Sequence, residues 1–324
     1  MQTLLRRTTS TLALLIGGVA LWAGAGTVPA SYAAPAAVCE GEPATIVGTE
    51  RADKLHGTPG RDVVVLKGGN DQFRGGDGDD LICAGDGDDN IFGEGGDDTV
   101  LLGDGDDLGY ATDGHDLIVG GRGDDFLTST ALTADLRPGP GDDWVSANFL
   151  TSPVRLGRGN DLFIGYRVTG EIRGGSGDDR FHSEVSGATP PSGAPATTDA
   201  RWIGGSGHDA FSAQTLRSPL TIDVAAGVVG WAGGKIRVAG LESFMGGIGD
   251  DVITGTSAPE TLYGWKGEDL LIGRGGADEI HGDGGHDVLR GNGGDDRLIG
   301  DRGNDRADGG RGRDRCDAET TTNC

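Results

Sequence analysis

The chain has 324 residues, 64 of them glycine, and acidic side chains outnumber basic ones by 51 to 27 for a net charge of −24. Only 35% of the residues are hydrophobic, a composition near the level at which charged chains stay disordered unless something else holds them together. A negative field of this size argues against nucleic acid as a partner and points to cations.

Residues 1–37 read as a signal peptide, with cleavage between 30 and 37. Arg6 and Arg7 form a basic start, Thr11 to Ala25 an apolar stretch, and small residues follow from Val28 to Ala36. The apolar stretch is shorter than the roughly 20 residues that span a bilayer. The expected product is secreted and extracellular, with no membrane span after cleavage. It carries −26 once the two arginines are removed. Cys39, Cys83, Cys316 and Cys324 all lie beyond this segment. An even number in an oxidising compartment favours disulfides, with three connectivities possible. The close spacing of Cys316 and Cys324 suits a local clasp and leaves Cys39 for Cys83. Cys83 joined to Cys316 is the rival arrangement.

From Gly48 the chain divides into blocks of nine. Gly75-Gly76-Asp77-Gly78-Asp79-Asp80-Leu81-Ile82-Cys83 is one of nine consecutive blocks ending at Thr128. Eight more run from Gly246 to Asp317. The sixth position is Asp throughout, except for Glu260, and the eighth is apolar except at Gly109. So much glycine excludes helix, at about 1 kcal/mol per residue. Six turn residues followed by three extended ones fit instead, with glycine at positions 2 and 4 supplying positive φ. In a three-residue strand the middle side chain faces one way, so position 8 faces inward. Two blocks make an 18-residue coil, and stacked coils form two parallel sheets around a thin apolar column. The fold expected is all-β, a parallel β-roll solenoid of Gly/Asp-rich nonapeptide repeats.

These blocks resemble the haemolysin-type calcium-binding repeat of RTX proteins, Gly-Gly-x-Gly-x-Asp-x-U-x, over roughly residues 48–317. The resemblance implies a parallel β-roll in which the position-6 Asp and turn carbonyls bind Ca²⁺ as cofactor. In the first array the implied ligands are Asp62, Asp71, Asp80, Asp89, Asp98, Asp107, Asp116 and Asp125. In the second they are Asp251, Asp269, Asp278, Asp287, Asp296, Asp305 and Asp314. Asp53 lacks the flanking glycines and is left out. Independently of family, carboxylates stacked at coil spacing repel without a cation between them, and Ca²⁺ takes oxygen ligands.

Between the arrays the period survives on alternate blocks only. Asp143, Asp161 and Asp179 keep the motif, while the intervening blocks have Ala134, Ser152 and Gly170 at position 6. Alternate blocks lie on opposite sides of the roll, so one row of carboxylates should run on through Asp143, Asp161 and Asp179. The opposite row should stop near Asp116. The expected organisation is a calcium-binding roll at 38–128, a half-degenerate continuation at 129–182 and an irregular segment with a Pro-rich insertion at 183–245. A second calcium-binding roll at 246–317 and a disulfide-clasped tail at 318–324 complete it. No catalytic motif stands out, and the expectation is a calcium-binding protein that is not an enzyme. Ca²⁺ would fold and stiffen an extracellular structural or adhesive roll facing a cell surface, glycan or matrix component. The alternative is an extracellular enzyme with its site in 129–245.

Overall fold

A computed structural model describes residues 37–184 and 200–324. The expected signal segment and the Pro-rich insertion at Thr189–Pro195 lie outside the described residues. Every helix or strand among them is a strand. No helix among them is long and apolar enough to cross a membrane.

The strands stack as coils of a parallel solenoid with two faces. The long face is one sheet of 14 strands, from Lys54–His56 to Arg315–Asp317, in which neighbours follow chain order but are separated in sequence by a crossover through the other face. Its register steps by one coil, as in Phe126 opposite Trp144 and Trp144 opposite Leu162. The other face is divided into sheets of 6 and 12 strands. The first ends at Asp135–Arg137, and the second begins with Gly139–Pro140 and Val154–Arg158.

The described part of the segment at 183–245, residues 183–184 and 200–245, is more regular than its sequence suggests. Arg201–Ser206 and Ala210–Ser212 continue the two faces, as does Ser243–Met245 on the long face. Between them Leu220–Asp223, Val228–Trp231 and Gly234–Ala239 form an antiparallel meander inserted into the divided face. Its outer strands pair in parallel with the coils on either side. Leu220 and Ile222, Val229, and Ile236 and Val238 are all buried, so each strand buries one side of its pleat without the glycine signature. Residues 129–184 and 200–245 therefore belong to the same stack as the arrays.

Position 8 supplies the core as expected. Phe73, Ile91, Leu127, Val145 and Phe163 on the long face are wholly buried, as are Val64, Ile82, Ile118 and Leu136 opposite. At Gly109 a Cβ would come within 2.9–3.1 Å of Ile118, Leu127 and Leu102, so the neighbours already fill its space. The middle coils thicken the core with Leu150, Val168, Leu216 and Trp202. Trp202 packs against Phe163, Phe181 and Phe211 at centroid distances of 5.7, 6.1 and 5.8 Å.

The disulfides join Cys39 to Cys83 and Cys316 to Cys324. Cys39 lies in a hairpin of Val38–Cys39 with Glu42–Pro43 and is buried against Val63 and Leu81, with Cys83 beside them. Loop closure alone assigns about 4 kcal/mol to this link and about 2.5 to the terminal one.

Candidate metal centre

The turns repeat one geometry. In the block of Asp80, Gly76 and Gly78 have φ of 102° and 120°, as positions 2 and 4 require. Asp80 at position 6 is 2% exposed. Its Oδ1 accepts the backbone N–H of Asp62, one coil earlier, at 2.8 Å, and the Asp80 N–H donates to Asp98 Oδ1 at 2.9 Å. Each carboxylate is thus tied to the preceding coil through one oxygen.

The second oxygen is left over. Oδ2 is buried without a hydrogen-bond partner at Asp71, Asp80, Asp89, Asp98, Asp107, Asp116, Asp125, Asp143, Asp161 and Asp179. The same holds at Asp209, Asp269, Asp278, Asp287, Asp296 and Asp305. A Cβ on Gly75 would lie 2.4 Å from Asp80 Oδ2 and 2.4 Å from the Gly93 carbonyl of the following coil. Corresponding distances are 2.2 and 2.4 Å at Gly120, from Asp125 Oδ2 and the Pro138 carbonyl. Where position 1 is glycine, as at Gly75 and Gly120, it leaves a small space flanked by a carboxylate oxygen and a carbonyl oxygen. Buried unpaired acceptors are costly. Burial pushes Asp80 up to about 6, Asp89 to about 7, and Asp125 and Asp269 to about 8. A backbone N–H opposes each rise, and carboxylates one coil away add to it. Among the described residues no three His, Cys, Asp or Glu side chains gather as a metal site. The donor set is one carboxylate with backbone carbonyls, the oxygen chemistry that suits a hard cation.

The repeats match the RTX calcium-binding nonapeptide repeat family in overlapping segments 47–82, 74–109 and 101–131, and again at 245–280 and 281–316. The chain is an RTX-type repeat protein. No curated protein matches it.

The RTX turns form two rows, one before each face. On the long face the position-6 residues are linked N–H to Oδ1 from Asp71 through Asp89, Asp107, Asp125, Asp143, Asp161 and Asp179. The row continues through Asp209 and Glu242, then from Glu260 through Asp278 and Asp296 to Asp314. Asp209 and Glu242 were missed by the sequence reading. Asp209 closes an intact motif, Gly204-Gly205-Ser206-Gly207-His208-Asp209, displaced by an insertion, whereas Glu242 keeps only Gly240 at position 4 and lacks the glycines of positions 1 and 2. On the divided face Asp62, Asp80, Asp98 and Asp116 are linked, as are Asp251, Asp269, Asp287 and Asp305. Between these two runs the register puts buried Ala200 and Ile236 at the equivalent place, and the Leu220 N–H takes Asp251 Oδ1 at 2.7 Å.

Four RTX turns close on themselves. Thr49, Thr58 and Gly247 donate their backbone N–H to Asp53, Asp62 and Asp251 Oδ2 at 2.6–2.7 Å, and Thr256 donates to Glu260 Oε2 at 3.1 Å. None of these four position-2 residues is left-handed. In the open turns position 2 is left-handed even where it is not glycine, as at Lys67, Glu94, Trp265 and Asn292. The left-handed peptide turns its N–H away from the carboxylate. Asp116, preceded by Thr112, is intermediate: its Oδ2 is unpaired by distance, yet a backbone contact from Thr112 opposes the rise that burial imposes.

Proposed function

We propose that Ca²⁺ occupies the open RTX turns and thereby folds and stiffens a secreted, extracellular roll with a structural or adhesive role. The observation that carries this reading is the buried, unpartnered Oδ2 repeated at sixteen position-6 aspartates beside turn carbonyls. A bound ion supplies the positive charge that these oxygens lack. The chain's own residues fix the first oxygen through the neighbouring N–H, aim the second into the turn and, in the ten of these blocks that begin with glycine, keep a Cβ out at position 1. Asp314, half-buried at the last coil, belongs to the same row. Asp62 and Asp251, whose second oxygen is already bonded, fall outside the set, and Asp209 joins it. The extracellular assignment rests on the paired cysteines together with the basic and apolar N-terminal sequence.

The enzyme alternative needs a site domain within 129–245, but the described strands there are coils of the roll. Among the described residues His182 Nδ1 lies 3.4 Å from Ser212 Oγ, a pairing across neighbouring strands of the roll.

Calcium titration of the secreted chain, followed by far-UV circular dichroism and calorimetry, tests the proposal. Cooperative gain of β signal with several ions bound is expected. A full β spectrum in chelator, unaltered by calcium, would overturn it.

A further inference from the structure

The coils that lose one row of carboxylates gain a column of cations on the adjoining face. Arg155 stands opposite Arg173 on neighbouring strands, and Arg201 opposite Arg237. Arg137 ends the strand Asp135–Arg137 on the preceding coil. All five side chains are exposed, and Lys235 lies two residues before Arg237. Two carboxylates sit among them. Asp135 is held by Arg137, and Glu171 accepts Arg173 Nε at 2.6 Å and lies 4.0 Å from Arg201. The corresponding outward positions of earlier strands are Thr99, Leu101, Leu117 and Val119, and of later ones Val252, Thr254, Leu270 and Ile272. Those positions carry no charge, which returns further along the same face at Arg290, Arg306 and Asp308. In a chain of net charge −24, five arginines and a lysine share this one stretch of one face.

We infer that this column is a docking surface for a linear carboxylated polysaccharide. A sheet face offers a line of contacts rather than an enclosing pocket. Within each pair, Arg155 with Arg173 and Arg201 with Arg237, the cations are one strand apart at about 4.8 Å. The second pair is offset by two residues along the strand, a pattern suited to a polymer bearing repeated anions. Guanidinium groups recognise carboxylates through paired N–H donors, and Asp135 and Glu171 already sit against this column in that way. Ile203 is the one large apolar side chain within it, opposite Arg173, so insertion into lipid has little to work with. Nucleic acid meets the unfavourable field of the whole chain and no aromatic run within the column on which bases stack.

The test uses the full secreted chain in calcium and a fluorescent oligogalacturonate too short to gel with the ion. Binding that weakens with salt is expected, at least tenfold weaker in Arg155→Ala/Arg237→Ala and unaltered in Arg290→Ala, an exposed arginine of the second array. Absence of binding at low salt overturns the inference, as does an equal loss in the Arg290→Ala control. Equally tight binding of a heparin oligosaccharide or of oligo-dT also overturns it, since that shows attraction for any polyanion. Circular dichroism of each variant in calcium reports on the roll separately, so failure of the docking surface is distinguishable from failure of the calcium proposal.

Discussion

The first array and the middle coils have the same pitch and the same long face, yet they hold their second face differently. In the coils of Asp62 to Asp116 both rows carry buried carboxylates, and the apolar column is one position-8 side chain per block supplemented by Leu66, Ala84, Leu102 and Ala111. In the middle coils one row has buried Ala134, Ala200, Ile236 and Leu220 in or beside the carboxylate positions, and Leu150, Val168 and Trp202 fill the interior. Apolar burial contributes about 25 cal/mol per Å² without any ion. A row of unpaired carboxylates opposes folding until a cation arrives. The middle is thus the part of the roll least dependent on calcium, although its long-face row from Asp125 to Asp209 still has the open geometry.

Chelation is the strongest way to test that contrast. We expect EDTA to abolish most of the β signal of the secreted chain. As calcium is lowered stepwise, amide exchange should accelerate first in 62–116 and 264–305 and last around Trp202. Simultaneous loss of protection everywhere would show that the middle coils have no stability of their own.

Protons provide a second probe. In the calcium-free roll burial raises Asp80, Asp89, Asp125 and Asp269 into the range of about 6 to 8, above the unfolded value of about 4. The folded state therefore binds more protons than the unfolded state between these limits, and its stability falls as pH rises through 6 to 8. In chelator, lowering the pH from 8 to 5 should recover β structure. In calcium, protons compete with the ion, so the calcium midpoint should rise over the same interval. A chelated chain that gains structure on alkalinisation would contradict the sign.

Trp202→Ala addresses the middle alone. Removing a buried indole from contact with Phe163, Phe181 and Phe211 should cost about 3–5 kcal/mol, read by urea denaturation in saturating calcium. The number of bound ions should stay the same. A fall in stoichiometry would mean that the apolar and ionic halves of these coils are not separable.

The period, the two faces and the inward position 8 were legible because each depends on which residue type recurs at a fixed interval. The unbroken row through Asp143, Asp161 and Asp179 was legible for the same reason. Asp209 escaped because an insertion shifted it out of phase while leaving its motif whole. The strands between Leu220 and Ala239 escaped because they alternate apolar residues without the glycine turn. Least legible was the division between open and closed turns. It depends on the direction of one peptide N–H, and sequence hints at that only through the Thr at position 2 of the blocks of Asp53, Asp62 and Glu260.

That division yields the smallest and sharpest effect, between two aspartates in adjacent coils of one row. Asp62 Oδ2 accepts the Thr58 N–H at 2.7 Å, and its Oδ1 accepts the Thr45 hydroxyl at 3.1 Å. Asp80 keeps one oxygen bonded to the Asp62 N–H and leaves the other free. In Asp80→Asn the amide oxygen retains the bond to Asp62, and the amide nitrogen replaces the unpaired oxygen. Calorimetry in calcium should then show fewer bound ions, while in chelator the loss of one buried like charge should help the roll. In Asp62→Asn the amide can keep its oxygen on the Thr58 N–H and donate its nitrogen to the Thr45 hydroxyl, which can turn its own proton to the Val63 carbonyl. Stability should therefore alter by less than about 1 kcal/mol. The ion count should not alter. If Asp62→Asn removes an ion as Asp80→Asn does, the peptide at position 2 does not decide which turns bind calcium.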